Sequence, residues 1–301
     1  MAPVLESSLQ PQSQFWTWRG HTIRYQCAGD HGIAIVLIHG FGASSDHWRK
    51  NLPVLAVNHR VYALDLIGFG YSDKPNPGTK IDYTFETWGE QVVEFCREVV
   101  GDQVMLAGNS IGCIVAMQAA VMAPELVTRM ALLNCSLRLL HERKRQEISW
   151  HERLAAPLMQ RLLSYRPIGR LFFSQIAQPR VVRRLLCQAY CNQDAVTSEL
   201  VNLILAPART PGAADVFLAF TAYSHGPLPE ELLPQLSCPV LMIWGAADPW
   251  EPIAKGRALA EFSAVQHFIA LKGVGHCPQD EAPDQVNTLL QNWAAERPIG
   301  Y

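Results

Sequence analysis

One stretch of this 301-residue chain predicts how the rest is folded: Met105-Leu106-Ala107-Gly108-Asn109-Ser110-Ile111-Gly112-Cys113-Ile114-Val115-Ala116. The apolar residues before Gly108 are typical of a strand buried on both faces, and those after Ser110 follow a helical spacing. A strand that passes into a helix across Gly-x-Ser-x-Gly is a nucleophile elbow, which presents the serine hydroxyl at a helix N-terminus. Side chains at Gly108 and Gly112 would crowd such a turn. Ser110 is therefore a candidate nucleophile.

Strands and helices alternate along the chain on both sides of this elbow. Aliphatic runs predict strands at 33–38, 60–66, 130–133, 239–244 and 266–271. Such alternation favours an α/β fold in which a mostly parallel sheet is covered by helices on both faces. The alternation stops after Asn134 and resumes at Pro239. We therefore predict a flexible lead-in at 1–14, a core formed by 15–135 and 237–297, and a helical cap inserted at 136–236.

The candidate nucleophile needs a base and a group that orients the base, because a serine hydroxyl alone is weakly nucleophilic. Glycine and serine are also common in ordinary loops, so the Gly-x-Ser-x-Gly motif by itself does not show that Ser110 is catalytic. Asp248 and His276 each follow a predicted late strand, in the order serine, acid, histidine that this architecture uses. Each alone could be a turn or loop residue. The ordered set of three predicts catalysis by Ser110, His276 and Asp248.

Two backbone N–H groups are predicted to stabilise the oxyanion. They are the N–H of Ile111, which follows the nucleophile, and the N–H of Phe41, which follows His39 and Gly40. His39 and Asp65 also resemble catalytic residues when taken singly. Their positions at strand ends favour structural roles instead, with His39 bracing its loop and Asp65 capping a turn together with Ser72.

The predicted cap combines strong positive charge with strongly apolar residues. Between Arg138 and Arg184, eleven basic residues stand against three acidic ones, a local net charge of +8. Apolar side chains lie among them, and we predict that these contact the substrate: Leu154, Leu158, Leu162, Phe172 and Phe173. A basic and apolar helix is typical of peripheral binding to an anionic membrane. Packing of the apolar face on the core, with a solvated basic face, remains the alternative.

Composition restricts the remaining functions. The net charge of −2 provides no overall attraction to nucleic acid. Eight scattered cysteines without a Cys-x-x-Cys pair indicate reduced thiols rather than disulfides or a metal site, and no cofactor is predicted. The start of the chain has no signal-peptide pattern, and no apolar run is long enough to span a membrane. We expect an unsecreted protein on the cytoplasmic side, soluble or peripherally bound to a membrane.

The assembled residues resemble the α/β-hydrolase superfamily across essentially the whole chain after Phe15. Within it, the chain is similar to the chlorophyll dephytylase and pheophytinase branch of oxygenic phototrophs, cyanobacteria among them. The stretches that carry this resemblance are His39-Gly40-Phe41-Gly42-Ala43-Ser44, Gly108-Asn109-Ser110-Ile111-Gly112, Leu132-Leu133-Asn134-Cys135, Gly273-Val274-Gly275-His276-Cys277-Pro278-Gln279-Asp280 and Pro207-Ala208-Arg209-Thr210-Pro211-Gly212-Ala213. The elbow differs from the Gly-His-Ser-Arg-Gly form of the separate chlorophyllase family.

The resemblance implies hydrolysis of the phytyl ester of chlorophyll, or of its magnesium-free form, to the free acid pigment and phytol at or near the thylakoid membrane. Ser110 is then the nucleophile, His276 the base and Asp248 its orienting group, and any magnesium belongs to the substrate. Many relatives carry a second glycine where this chain has Cys113, so the packing beside the elbow and the width of the pocket are open.

Three alternatives remain at this point. The first is an esterase with a pheophytin preference or a general preference for lipophilic esters. The second is hydrolysis of a carbon–carbon bond by the same triad. The third is a non-catalytic binding protein on a hydrolase scaffold, which the presence of all three triad residues disfavours.

Overall fold

Eight strands form one sheet in the computed structural model, which describes residues 9–139, 141–144 and 165–299. Their order across the sheet is β1-β2-β4-β3-β5-β6-β7-β8. The β1–β2 and β2–β4 pairings are antiparallel, and all the others are parallel. The mostly parallel sheet is therefore confirmed. The strands are β1 (Gln12–Trp18), β2 (His21–Ala28), β3 (Ala34–Ile38), β4 (Arg60–Leu64), β5 (Val104–Asn109), β6 (Val127–Leu133), β7 (Val240–Gly245) and β8 (Val265–Leu271).

Helices connect the strands and supply the cap. Leu52–Leu55 and Phe85–Phe95 form α1 and α2, and Ile111–Met122 forms α3 directly after the elbow. The cap contains α4 (Arg166–Ile176), α5 (Pro179–Ala189), α6 (Ser198–Ala208), α7 (Ala213–Ala222) and α8 (Pro229–Leu232). The last part of the chain contains α9 (Ile253–Leu259), α10 (Pro278–Glu281) and α11 (Pro283–Ala294).

The central strands are covered by apolar packing on both faces. In β3, Val36 and Ile38 join a cluster that includes α2 and α3, whereas Ile35 and Leu37 join another that includes α1 and α11. All four are fully buried. Alternate side chains of a strand point to opposite faces, so a strand between two helix layers must be apolar at every position. This explains the continuous aliphatic runs in the sequence.

The cap lies between two neighbouring strands. The chain leaves the sheet after β6 and returns in β7, its parallel neighbour, and α4 to α8 lie in the interval predicted as the 136–236 insertion. Val182, Leu200 and Leu205 form an apolar cluster of the cap that also includes Cys277 of the core. Within the described residues no single helix is long and apolar enough to cross a membrane; α6 and α7 meet that test only as a pair bent by 89°.

The N-terminal hairpin, formed by β1 and β2, begins inside the predicted lead-in. Its turn at Arg19 and Gly20 has positive φ at both residues, as a tight hairpin turn requires. The first strand, however, begins at Gln12, which pairs with Cys27, so the prediction of a lead-in through residue 14 is wrong. Most β1 side chains are exposed, so composition could not reveal a strand that is defined by its pairing with β2. Residues 1–8 lie outside the described residues.

Candidate active site

The elbow holds Ser110 in a strained backbone conformation between β5 and α3. Its φ of 56° and ψ of −121° are rare for a residue with a side chain. A Cβ at Gly108 would lie 2.4 Å from the carbonyl oxygen of Gly112, and one at Gly112 would lie 2.5 Å from that of Ile38. Both distances are below any real contact. Glycine is therefore required at both positions to bring strand and helix together around Ser110, as the sequence predicts.

Asp248 and His276 form a buried pair at the same edge of the sheet. The Nδ1 of His276 lies 2.8 Å from the Oδ2 of Asp248, in hydrogen-bond contact. The same Oδ2 accepts a hydrogen bond from the Nδ2 of Asn134 at 2.6 Å. The other oxygen, Oδ1, accepts from the backbone N–H groups of Trp250 (2.8 Å) and Glu251 (3.1 Å). The carboxylate is therefore an acceptor on both oxygens and is fixed in orientation.

The surroundings of Asp248 favour its charged form. Burial alone would raise the pKa of Asp248, but the hydrogen bond and charge of His276, together with donation from Glu251 and Asn134, lower it below its ordinary value. The ionised carboxylate then accepts a hydrogen bond from the Nδ1–H group of His276, which leaves Nε2 of His276 with a free lone pair. This is the tautomer that a general base needs.

Ser110 and His276 open onto the same cavity, of about 550 Å³. That volume lies within the range of about 300–1,000 Å³ that is usual for small-molecule sites. Ile176, Val182 and Phe217 of the cap form much of its apolar wall. The remaining lining residues are Gly40, Phe41, Gly42, Ala43, His47, Asn109, Phe173, Ala177, Leu185, Leu186, Ala189, Ile204, Ala208, Trp250, Glu251 and Cys277.

The residues predicted for the oxyanion lie on two sides of Ser110. Phe41 belongs to the loop after β3 and lines the cavity. This loop passes close to the elbow, because a Cβ at Gly40 would lie 3.3 Å from the Cβ of Ser110. Ile111 is the first residue of α3, so the helix makes no use of its N–H. Their stabilisation of an oxyanion stays a prediction.

His39 and Asp65 have the structural roles that the sequence favours. The Nδ1 of His39 donates to the carbonyl oxygen of Gly40 (2.7 Å), and its Nε2 accepts from the N–H of Leu66 (3.1 Å). Burial lowers the pKa of His39, so the neutral ring that these two bonds require is favoured. The carboxylate of Asp65 accepts from the N–H groups of Ser45 and Tyr71, and its carbonyl oxygen accepts from the Ser72 hydroxyl.

The cap residues predicted to contact substrate divide into three groups. Leu154, Leu158 and Leu162 lie outside the described residues. Phe173 lines the cavity. Phe172 does not; it is 40% exposed, and its assignment to the substrate site is wrong. Neighbouring residues of an α-helix point about 100° apart, so Phe173 can face the cavity while Phe172 points toward solvent.

Several residues of the cavity wall were not predicted, although the sequence contains a periodic pattern that indicates some of them. In α5, Val182, Leu185, Leu186 and Ala189 repeat at the three- and four-residue spacing of one helix face, and all four line the cavity. Trp250 gave no such signal, and its ring centroid lies 5.0 Å from that of His276.

Cys113 does not widen the cavity. Its side chain is fully buried, and its Sγ lies 3.1 Å from the carbonyl oxygen of Gly108, behind the elbow and away from the wall. All eight cysteines are free thiols. Across the described part of the chain, no group of three or more His, Cys, Asp or Glu side chains could hold a metal ion.

Comparison with known proteins agrees with the resemblance inferred from the motifs. The chain is similar to chloroplastic pheophytinase of Arabidopsis thaliana, with 26% identity over 90% of this chain and 63% of that protein. It is also similar to the uncharacterized hydrolase YugF of Bacillus subtilis, with 24% identity over 86% of this chain and 89% of that protein. The chain therefore spans less than two thirds of pheophytinase.

The structural comparison gives the same fold. The epoxide hydrolase CorEH superposes with a TM-score of 0.76 over 96% of this chain and 100% of its own length, at 23% identity. At that identity the likeness shows the fold alone. The family described as "Alpha/beta hydrolase family" matches residues 35–289 by its sequence profile. With the sheet, the inserted helices and the elbow in place, this chain belongs to the alpha/beta hydrolase family.

Proposed function

We propose that this protein is a serine hydrolase that cleaves a lipophilic carboxylic ester through an acyl-enzyme on Ser110. The observation that carries the proposal is the Asp248–His276 hydrogen bond at the wall of the apolar cavity that Ser110 also lines. A nucleophile, a base and an orienting carboxylate on one cavity are the groups that acyl transfer needs.

The reaction proceeds in two halves. The Oγ of Ser110 attacks the ester carbonyl while Nε2 of His276 takes its proton, and Asp248 stabilises the imidazolium that forms. The N–H groups of Phe41 and Ile111 bind the oxyanion, each contributing about 3 kcal/mol by analogy with known oxyanion donors. His276 then gives the proton to the leaving alcohol. In the second half His276 takes a proton from a water molecule as the water oxygen attacks the acyl-enzyme. The bond between the acyl group and the Oγ of Ser110 then breaks, His276 returns the proton to Oγ, and the free acid leaves.

The proposed substrate is the phytyl ester of chlorophyll or of its magnesium-free form. Two features support it: the predominantly apolar wall, which suits a long branched hydrocarbon, and the similarity to pheophytinase. The products are phytol and the free acid pigment. The chain's own residues supply the acyl transfer, and any magnesium enters with the substrate.

Peripheral association with a membrane is proposed from α4 and the residue before it. Tyr165, Leu171 and Phe172 are 63%, 64% and 40% exposed. Tyr165 is followed directly by Arg166, and the surrounding segment carries excess positive charge. Apolar side chains beside basic ones favour an anionic lipid surface, which suits a thylakoid or other cytoplasm-facing membrane. Flotation with anionic vesicles tests this: Leu171→Asp should weaken binding, whereas unchanged flotation would argue against a role for α4.

The direct test is to incubate purified protein with chlorophyll a or pheophytin a and to follow the free acid pigment by chromatography. Ser110→Ala should lower turnover about 10⁴–10⁶-fold. Near-normal turnover in this variant would remove Ser110 from its role. Hydrolysis of short p-nitrophenyl esters without any pigment product would reject the phytyl substrate and leave a general esterase. Turnover of a diketone but of no ester would favour carbon–carbon bond hydrolysis instead.

A further inference from the structure

The backbone of the His276 loop contacts the cap directly. The N–H of His276 donates to the carbonyl oxygen of Ala189, the last residue of α5, at 2.8 Å. A Cβ at Gly275 would lie 2.2 Å from the same carbonyl oxygen. A side chain at position 275 would therefore push the cap away from the loop that carries the proposed base.

Glu281, the last residue of α10, joins the same two segments through its side chain. Its Oε2 accepts hydrogen bonds from the N–H of Gly275 (2.9 Å) and the N–H of Cys191 (3.2 Å). Its Oε1 accepts from the N–H of Asn192 (2.8 Å). Hydrogen bonds to a carboxylate are about twice as strong as neutral ones. One carboxylate thus holds the residue before His276 and two cap residues just past the end of α5.

A second buried contact fixes the same end of the cap. The hydroxyl of Tyr190 donates to the Oδ2 of Asp280 (3.0 Å) and lies 2.9 Å from the Nε2 of His47. Burial lowers the pKa of His47 to about 4, so its ring is neutral and donates through Nε2. Asp280 is paired with Arg49 (2.9 Å) and Lys50 (3.0 Å). The cap therefore meets the core here through polar contacts with defined directions.

The elbow holds the other side of the loop. The Nδ2 of Asn109 donates to the carbonyl oxygen of His276 at 3.1 Å, and the Nε2 of Gln279 donates to the Oδ1 of Asn109 at 3.1 Å. The backbone N–H of His276 is thus bound by the cap, and its carbonyl oxygen is bound by the residue that precedes Ser110. The backbone that carries the imidazole is therefore attached to the cap on one side and to the elbow on the other.

We propose that Glu281 is a positioning residue that couples the placement of the cap to the alignment of His276 with Ser110. The inference rests on the proposed function, because it takes His276 as the base. Without the carboxylate, the N–H of Gly275 is no longer linked to Cys191 and Asn192, and the loop can shift. A misplacement of about 1 Å can lower turnover by about 100-fold.

The first test replaces Glu281 by Gln, which has nearly the same shape but presents an NH₂ group to backbone N–H donors. We expect kcat per active site on a short p-nitrophenyl ester to fall about tenfold or more, with KM changed by less than about threefold. Sites are counted from the end point of fluorophosphonate labelling. A variant that merely folds less well loses sites but keeps kcat per site. Glu142→Gln, which alters an exposed carboxylate of the cap, is the matched control.

The second test breaks only the cap side of this contact. Asn192 has a φ of −83°, close to the range of proline, so Asn192→Pro removes the N–H that donates to Glu281 with little strain. Asn192→Ala keeps the N–H and loses only the side chain. We expect Asn192→Pro to lower kcat per site and to speed hydrogen exchange of the Gly275 and His276 amides, and Asn192→Ala to do neither.

Unchanged kcat per site in Glu281→Gln, or unchanged exchange of the two amides in Asn192→Pro, would overturn the coupling. The exchange measurement needs no substrate. If the wild-type protein hydrolysed no ester while the exchange still responded to Asn192→Pro, the proposed function would fail and the physical coupling of cap and loop would stand.

Discussion

Glu251→Gln should stabilise the protein at neutral and alkaline pH. The Glu251 carboxyl is buried at the cavity wall, where its Oε2 accepts from the N–H of Leu137 at 3.1 Å. Burial raises the pKa of Glu251 from an ordinary 4.5 to about 7. The hydrogen bond from the N–H of Leu137 and the charge of His276 oppose this rise in pKa, whereas the charge of Asp248 adds to it. The neutral carboxyl is therefore the form that the fold favours. Glutamine has the same shape and keeps an oxygen for the Leu137 N–H.

Proton linkage gives the direction and the size of this change in the free energy of unfolding. Below pH 4.5 the carboxyl is protonated in both the folded and the unfolded chain. Between pH 4.5 and about 7 the folded chain holds a proton that the unfolded chain has lost, so stability falls as the pH rises. At about 1.4 kcal/mol per pH unit, the wild type loses about 3 kcal/mol over this range, and the loss is complete above pH 7. The glutamine variant does not titrate at this position, so its free energy of unfolding does not fall in this way.

The assay is urea unfolding of both proteins between pH 4 and pH 9. We expect the free energy of unfolding of Glu251→Gln to exceed that of the wild type by about 3 kcal/mol at pH 8, relative to the difference at pH 4. Glu261→Gln, which removes an exposed carboxylate, controls for the loss of one charge. A difference for Glu251→Gln that stays constant with pH, or that matches the control, would refute the reasoning.

Three further predictions concern the elbow, the cavity and the Asp248 carboxylate. Asn134→Asp places a second carboxyl beside Asp248, where the amide of Asn134 now donates a hydrogen bond at 2.6 Å. The pKa of Asp248 should therefore rise, and kcat/KM at pH 7 should fall about tenfold or more. A pH–rate profile like that of the wild type would contradict this. Phe173→Ala should raise KM for a long-chain ester about tenfold with little effect on a short one, whereas Phe172→Ala should change neither. Equal changes of KM in the two variants would contradict the placement of Phe173 alone in the cavity wall. Gly112→Ala should destabilise the fold by about 3 kcal/mol, because its Cβ meets backbone at 2.5 Å; a thermal midpoint within error of the wild type would show that the elbow can relax.

Much of the fold could be predicted because its signals are local. The aliphatic strands and the glycines of the elbow each depend on the backbone geometry of a few neighbouring residues. The positions of Asp248 and His276 after late strands follow from the same periodicity. The start of β1 could not be predicted in this way, because Gln12 belongs to a strand only through its pairing with Cys27.

Contacts between segments that are distant in the chain could not be predicted from the sequence. Asn134 and Asp248 are 114 residues apart, yet their side chains share a hydrogen bond at the centre of the site. The contact of Glu281 with Asn192 spans 89 residues. Nothing in the local pattern around any of these residues indicates its partner, since such pairs form only when parallel strand ends and the cap come together.

The sequence by itself determined that this chain builds a parallel sheet around a strained serine, because steric crowding at glycines and the periodicity of apolar side chains act over a few residues. Tertiary structure alone decided that Phe173 faces the cavity while Phe172 does not, that Cys113 lies behind the elbow, and that the cap is attached to the His276 loop. Those outcomes depend on how helices rotate and dock against a sheet, which is set by packing and hydrogen bonds between segments far apart in the chain.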